Sequence, residues 1–211
     1  MAILKDRSAK AINRDFVSVT HDFWRESGLL AESLASSELD PVGWYEQFYD
    51  LLLGKHTSAW SLGRNLAGDT AALGNDDRVA GLAMAEEESR YLQGFLSDVI
   101  DGKFLDADGN IRTDLIKNRS ALYGRKLRGT ANESFISVSG SGYGFHWRLG
   151  ANDHCADCPQ MPDLEPDGGF TMDTLPFWPG DGRTACKVNC TCWLVRTDGV
   201  KGFTRVEAEA V

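Results

Sequence analysis

The sequence FHWRLGANDHCADCP at residues 145–159 and LPFWPGDGRTACKVNCTCWL at residues 175–194 together hold every cysteine of the chain. The five are Cys155, Cys158, Cys186, Cys190 and Cys192. A Cys-x-x-Cys pair turns tightly enough for both sulfurs to face one ion, and a Cys-x-x-x-Cys-x-Cys group can complete the shell. Since tetrahedral zinc takes four thiolates, or three and an imidazole, this spacing predicts one structural zinc ion per chain.

His154 precedes the first cysteine, so six candidate ligands compete for four positions. On a strand, the sulfurs of Cys190 and Cys192 would point to the same face and crowd one ion. The favoured ligands are therefore Cys155, Cys158, Cys186 and Cys192, with Cys190 as the next choice. His154 and His146 are expected to be hydrogen-bonded side chains rather than ligands.

Three other interpretations of the cysteines stay open: two disulfides with a free thiol, reduced and packed thiols, or a redox Cys-x-x-Cys motif. Disulfides need an oxidising compartment, and the N-terminal sequence MAILKDRSAKAINRD lacks the apolar segment of a secretory signal. A redox motif normally lies in a βαβ context, for which the sequence has no pattern. Metal binding is therefore the favoured interpretation.

The composition is typical of a globular chain, with 211 residues and a formal net charge of −9. No apolar run is long enough for a membrane span, and the acidic total argues against a general nucleic-acid binder. Residues 112–128 are an exception, since they contain six basic residues against Asp114 alone. Such a helix can be a solvated face, or it can contact an acidic partner or a phosphate backbone.

The part before the cysteines is predicted to be helical. Residues 1–40 have a weak apolar stripe and are expected to be a poorly anchored arm or frayed helix. Asp40-Pro41 is a typical helix start, and Gly54 is a plausible stop. Further helices are predicted at about 56–73, 77–101 and 112–128, with the glutamates at 86–88 in solvent. The aromatic side chains at 44–49 are expected in a core or a subunit interface.

The sequence changes character at residues 137–144, SVSGSGYG, a Ser/Gly-rich bend. Beyond it, residues 145–149, 191–196 and 203–206 have strand composition. The fold class is therefore predicted as α+β, with a helical domain at 1–136 and a small cysteine-rich module with short strands at 137–211. The glycine-rich PGDGRT sequence lacks the ending of a phosphate-binding loop and is expected to be a turn.

The combined pattern of residues 119–194 resembles a known family. It comprises RSALYGRKLRGTANE at 119–133, Trp147 with Leu149-Gly150, the Cys155/Cys158 pair, and the ending from Leu175 to Cys192. In this order these features are similar to the minor head proteins of tailed bacteriophages, the phage Mu F-like head-morphogenesis family. The resemblance implies a structural, non-enzymatic virion protein at or near the portal vertex, acting in head assembly and DNA packaging or delivery.

The resemblance also implies partners and a location. The expected partners are the portal protein, the major capsid protein or both, together with further copies of this chain. Contact with packaged DNA is compatible with this location, and no membrane is expected to take part. The protein is expected in the virion head, and in the host cytoplasm during assembly. Two other functions remain open: a zinc-ribbon-like module that binds nucleic acid through residues 112–128, and an enzyme in which His146 or His154 activates a cysteine.

Overall fold

The computed structural model describes residues 2–150 and 154–207, with side chains from residue 9 onward. Four long helices come first, α1 Ala2–Ala35, α2 Pro41–Ala67, α3 Asn75–Ile100 and α4 Thr113–Ser139. The later elements are strand β1 Phe145–Arg148, the short helix α5 Met161–Leu164 and strand β2 Trp193–Arg196, with 3-10 turns at Cys158–Gln160 and Lys187–Asn189. The predicted α+β class, mainly helical with a small cysteine-rich end, is confirmed. None of the described helices is both long and apolar enough to cross a membrane.

Helix α2 begins where the sequence predicts. The Asp40 carboxylate accepts a hydrogen bond from the Gly43 N–H at 2.7 Å, and Pro41 occupies the first turn. The predicted stop at Gly54 is wrong, because the helix continues to Gly68, whose φ of 109° closes it in the left-handed region. Its buried face continues through the glycine, since Leu52 before it and His56 after it are both fully buried. Tertiary packing of that face overrides the weak helix propensity of one glycine.

Aromatic rings fill the centre of the helical bundle, which is the name we give to α1–α4. Phe48 lies 5.3 Å from the rings of both Trp44 and Tyr123, and 5.9 Å from Phe23. Phe95 of α3 closes the cluster at 4.9 Å from Trp44. The predicted core role of the aromatics at 44–49 is confirmed for Trp44 and Phe48, whose side chains are fully buried.

Helix α1 is anchored more firmly than its composition predicts. Phe16 is buried and its ring lies 4.8 Å from that of Phe203, near the far end of the chain. Trp24 donates a hydrogen bond from Nε1 to the Ala121 carbonyl of α4 at 3.1 Å. The expectation of weak anchoring is therefore wrong for the described side chains of this helix. A role as an arm towards a neighbouring subunit stays a prediction.

The two strands form one antiparallel pair, in which Phe145 faces Arg196 and Trp147 faces Leu194. Both strands agree with the sequence prediction. Residues 203–206 do not form the expected third strand, and Phe203 instead packs into the core. We use the name C-terminal region for residues 145–207 as far as the structure describes them.

Helix α4 carries the C-terminal region. It continues past Gly129, where the backbone of Gly180 packs so closely that any side chain would collide with its carbonyl. Trp178 donates from Nε1 to the Gly129 carbonyl at 3.0 Å. Asn132 donates to the Pro179 carbonyl at 2.9 Å and accepts from the Phe203 N–H at 3.1 Å. The helix runs three residues beyond the predicted boundary at 136/137, and the division into two domains stays a prediction.

Candidate metal centre

Two loops of the C-terminal region carry the five cysteines to one place. Cys158 begins a 3-10 turn, and a second 3-10 turn lies between Cys186 and Cys190. The carboxylate of Asp157 accepts a hydrogen bond from the Ala185 N–H at 2.6 Å and thereby joins the loops. Each loop thus turns its sulfurs towards the other, although 28 positions separate Cys158 from Cys186.

The first group of sulfurs comprises Cys155, Cys158 and Cys186. The Cys155 sulfur lies 3.4 Å from that of Cys158 and 3.3 Å from that of Cys186, and the third separation is 3.9 Å. Zinc–sulfur bonds of about 2.3 Å place the sulfurs of a tetrahedral site about 3.8 Å apart. A disulfide bond requires about 2.05 Å, so the disulfide interpretation does not describe this structure, in which all five thiols are free.

The second group comprises Cys158, Cys190 and Cys192, whose sulfurs lie within 4.8 Å of one another. The Cys158–Cys190 separation is 3.7 Å, and all three side chains are buried. Cys158 belongs to both groups. The five residues, called the cysteine cluster below, can therefore hold a metal ion, while the choice of four among them stays a prediction.

Hydrogen bonds between neighbouring sulfurs divide the thiols into proton donors and acceptors. A hydrogen bond with Cys190 is the main cause that lowers the pKa of Cys192 to about 5, against the effect of burial. Burial raises the pKa of Cys155, yet hydrogen bonds from the Cys158 backbone and from Cys186 bring it to about 7. Burial raises the pKa of Cys158, and the hydrogen bond with Cys192 raises that of Cys190. The cluster therefore contains sulfurs prepared to be thiolates, the form that binds metal.

Arg128 of α4 lies beneath the second group and was not predicted as part of the site. Its side chain is 3 % exposed, and neither terminal nitrogen of the guanidinium makes a hydrogen bond in the structure. Burial lowers its pKa, while the thiolates of Cys190 and Cys192 favour its charged form. Adjacent positions of a helix point in different directions, so the apolar Leu127 before it did not predict the burial of Arg128.

The two histidines differ in their relation to the cluster. The Nδ1 atom of His146 lies 2.6 Å from the Glu165 carboxylate, whose other oxygen accepts from the Trp147 N–H at 2.9 Å. The expected hydrogen-bonded role of His146 is thus confirmed. His154 is hydrogen-bonded beside the cluster, as expected, with Nδ1 3.7 Å from the Cys192 sulfur.

The PGDGRT sequence forms a turn, as predicted. The Asp181 carboxylate accepts from the Trp178 N–H at 3.0 Å and from the Arg183 N–H at 2.9 Å. Gly180 and Gly182 adopt φ values of 91° and 87°, which favour glycine. The turn sets the path of the chain towards Cys186.

The basic residues of 112–128 make contacts within their own chain. The contacted residues are Asp114 by Arg112, Glu32 by Lys117, Asp98 by Arg119, Asn189 by Arg125, and the Asp181 carbonyl by Lys126. Arg119 also lies over the Phe95 ring at 4.4 Å. These contacts do not favour the hypothesis that this helix binds nucleic acid, which stays a prediction.

Glu88 is the clearest exception to the expected solvated glutamates. Glu86 and Glu87 are exposed, but Glu88 is only 7 % exposed and lies 3.8 Å from the Lys126 amine. Burial raises its pKa to about 7. Its spacing from Ala85 and Leu92, both buried, is the signal that places it on the inner face of α3.

Comparison with known proteins adds no assignment. No protein-family model, no curated protein and no solved structure matches this chain.

Proposed function

We propose that this protein is a non-enzymatic structural component of a tailed-bacteriophage head, and that structural zinc holds its C-terminal region in shape. The observation that carries the structural metal is the convergence of the cysteines, since the sulfurs of Cys155 and Cys186 lie 3.3 Å apart although 31 positions separate them in the sequence. A bound ion would join these loops as covalent cross-links join loops in secreted domains. All-thiolate and thiolate–imidazole sets are the usual ligands of structural zinc, and zinc is the ion we propose.

The C-terminal region has little regular structure to stabilise it, which supports a structural metal. Its sheet consists of two strands of four residues each. A two-stranded sheet of this size is marginal in water without further support. Because a structural metal site forms only in the folded chain, the free energy of binding adds to the free energy of folding.

The assignment to a phage head rests on the resemblance of residues 119–194. The residues that carry the resemblance contribute to the fold of this chain, which is consistent with a non-enzymatic protein. Trp147 is buried in the core, and Gly150 lies so close to Thr191 that a larger side chain would collide. Asp181 organises its turn. The proposed partners are the portal protein, the major capsid protein and further copies of the chain, in the virion head and, during assembly, in the host cytoplasm.

An enzymatic role for the cysteines is not favoured by the geometry. Catalysis needs an accessible thiolate beside a base. Cys158, Cys190 and Cys192 are buried, and sulfurs bound to a metal would not be free to attack a substrate. His146, one of the two candidate bases, is engaged by Glu165.

Fractionation of the phage that encodes this chain tests the proposal. We expect the chain to sediment with DNA-filled heads at a constant copy number, measured by quantitative mass spectrometry of the purified heads. The Cys158→Ser variant should be depleted from heads, because its C-terminal region lacks the central ligand. Ser141→Ala, an exposed change just before the C-terminal region, should be incorporated normally. A wild-type chain that stays in the soluble lysate and is absent from heads would overturn the assignment.

A further inference from the structure

The sulfur atoms of the cysteine cluster form two groups rather than one. Among the described residues, the donor atoms that lie within 4.8 Å of one another form two groups of three sulfurs, and only Cys158 belongs to both. Two ligands of one zinc ion can be at most about 4.6 Å apart, since each bond is about 2.3 Å long. Neither group therefore extends to a fourth cysteine within reach of the same ion.

Each group supplies three of the four ligands of a tetrahedral zinc ion, and the two groups differ in what can supply the fourth. His154 lies beside the second group, with Nδ1 3.7 Å from the Cys192 sulfur, but it belongs to neither group within 4.8 Å, so its side chain would have to move to become the fourth ligand. The first group faces outward, since Cys155 and Cys186 are only partly buried. A solvent molecule can therefore occupy the remaining position of a metal bound there.

The buried charge around the cluster supports two ions. When metal binding has deprotonated all five thiols, they carry five negative charges, and one dication together with the Arg128 guanidinium would leave two of them without compensation. Two dications and the guanidinium of Arg128 supply five positive charges and make the sum zero. The Arg128 guanidinium is buried, and the thiolates of Cys190 and Cys192 favour its charged form, whereas Arg205 disfavours it. The other nearby cation, Arg205, is already paired with Glu207 at 3.0 Å. Burial of net charge is costly, so the neutral arrangement is favoured.

We propose that the cluster binds two zinc ions bridged by the sulfur of Cys158. Cys155, Cys158 and Cys186 hold the first ion, and Cys158, Cys190 and Cys192 hold the second, with His154 as the fourth ligand once its side chain has moved towards the ion. Arg128 balances the remaining charge of the thiolates. The inference rests on the structural zinc of the proposed function and extends it from one ion to two.

Metal content of the full-length chain tests the bridge. Protein purified under reducing conditions with zinc present is desalted, and zinc and iron per chain are measured by plasma mass spectrometry. We expect two zinc ions and no stoichiometric iron. One zinc ion per chain would overturn the bridge but leave the structural zinc standing. No metal would overturn both, and stoichiometric iron would overturn the zinc assignment in both proposals.

Single substitutions locate the two ions. Cys192→Ser should halve the zinc content by emptying the second position, and Cys186→Ser should halve it by emptying the first. His146→Ala is the matched control, because His146 is engaged by Glu165 and should keep both ions. A second ion that persists in Cys192→Ser and in Cys186→Ser alike would be bound outside the cluster, and the bridge would be wrong.

Cobalt(II) loading tests the bridge without any substitution. A shared thiolate couples the two ions magnetically, so the magnetic moment per cobalt should fall as loading rises from one ion to two per chain. An unchanged moment per ion would mean two separate sites and would overturn the bridging role of Cys158. This measurement uses the wild-type chain and does not depend on whether a variant folds.

Discussion

The helical bundle and the C-terminal region maintain their shapes by different means. In the bundle, long helices bury large rings against one another, as Phe48 does against Trp44 and Tyr123. In the C-terminal region, two four-residue strands and a series of turns are joined by individual hydrogen bonds and bring the five cysteines together in the cluster. Regular helices satisfy their own backbone and need only an apolar face, whereas irregular loops need a specific partner at each turn.

The two regions nevertheless share one hydrophobic core. Phe203 packs on Phe16 of α1 at 4.8 Å, and Phe145 packs on Phe135 of α4 at 5.4 Å. The C-terminal region uses the bundle as its base, so we expect it to depend on the bundle more than the bundle depends on it. Two experiments test this asymmetry, and a third tests a buried carboxyl group within the bundle.

Metal removal should have the largest effect, and it should be confined to the C-terminal region. Structural zinc contributes on the order of 10 kcal/mol of apparent binding free energy in small zinc domains. A chelator should therefore expose all five thiols to alkylation and make residues 154–192 sensitive to protease. Far-ultraviolet circular dichroism should change little, because α1–α4 hold the helical content. Equal protease resistance with and without chelator would contradict the prediction.

Phe48→Ala should destabilise the whole chain by about 3–5 kcal/mol, since it leaves a cavity among three rings. Urea unfolding, followed by circular dichroism and by zinc release, measures the effect. Both signals should change together, because the C-terminal region loses its base when the bundle unfolds. Val42→Ala, an exposed change on the same helix, should shift stability by about 0.5 kcal/mol or less. Zinc retained after the helices unfold would show that the C-terminal region stands alone.

Glu88→Gln should change the pH dependence of the bundle, with the smallest of the three effects. The folded-state pKa of about 7 lies above the ordinary value of 4.5, so the folded chain binds the proton more tightly than the unfolded chain. This contribution is complete below pH 4.5 and is lost as pH rises through 7, by about 1–3 kcal/mol.

Urea unfolding at several pH values measures this contribution. The variant should show a flatter dependence between pH 4.5 and 7 than the wild type. Glu87→Gln, an exposed change one position earlier, should keep the wild-type slope. The same slope in Glu88→Gln and in the wild type would contradict the prediction.

Much of the fold follows from local sequence signals, because these signals act over a few residues. Asp40-Pro41 starts a helix whatever surrounds it, and the strand composition at 145–149 is matched by β1. The Gly54 prediction failed for the opposite reason. A glycine lowers the local stability of a helix. The apolar face of α2 on both sides of Gly54 packs on α1, α3 and α4, and this packing keeps the helix continuous.

The cysteine cluster shows the same division. Its residues and their spacing predicted a metal site, and the structure brings the sulfurs close enough to hold an ion. The sequence could not show which sulfurs lie together. Cys158 belongs to both groups only because the two cysteine loops approach each other in the folded chain.

By itself, the sequence determined the helix-rich class, the short strands and the presence of a sulfur site, all of which depend on neighbours along the chain. Only the tertiary structure decided that Glu88 and Arg128 are buried and that α1 packs on the end of the chain. It also decided that the sulfurs form two groups around Cys158. These features depend on residues far apart in sequence, whose distances are set by the packing of whole helices and loops.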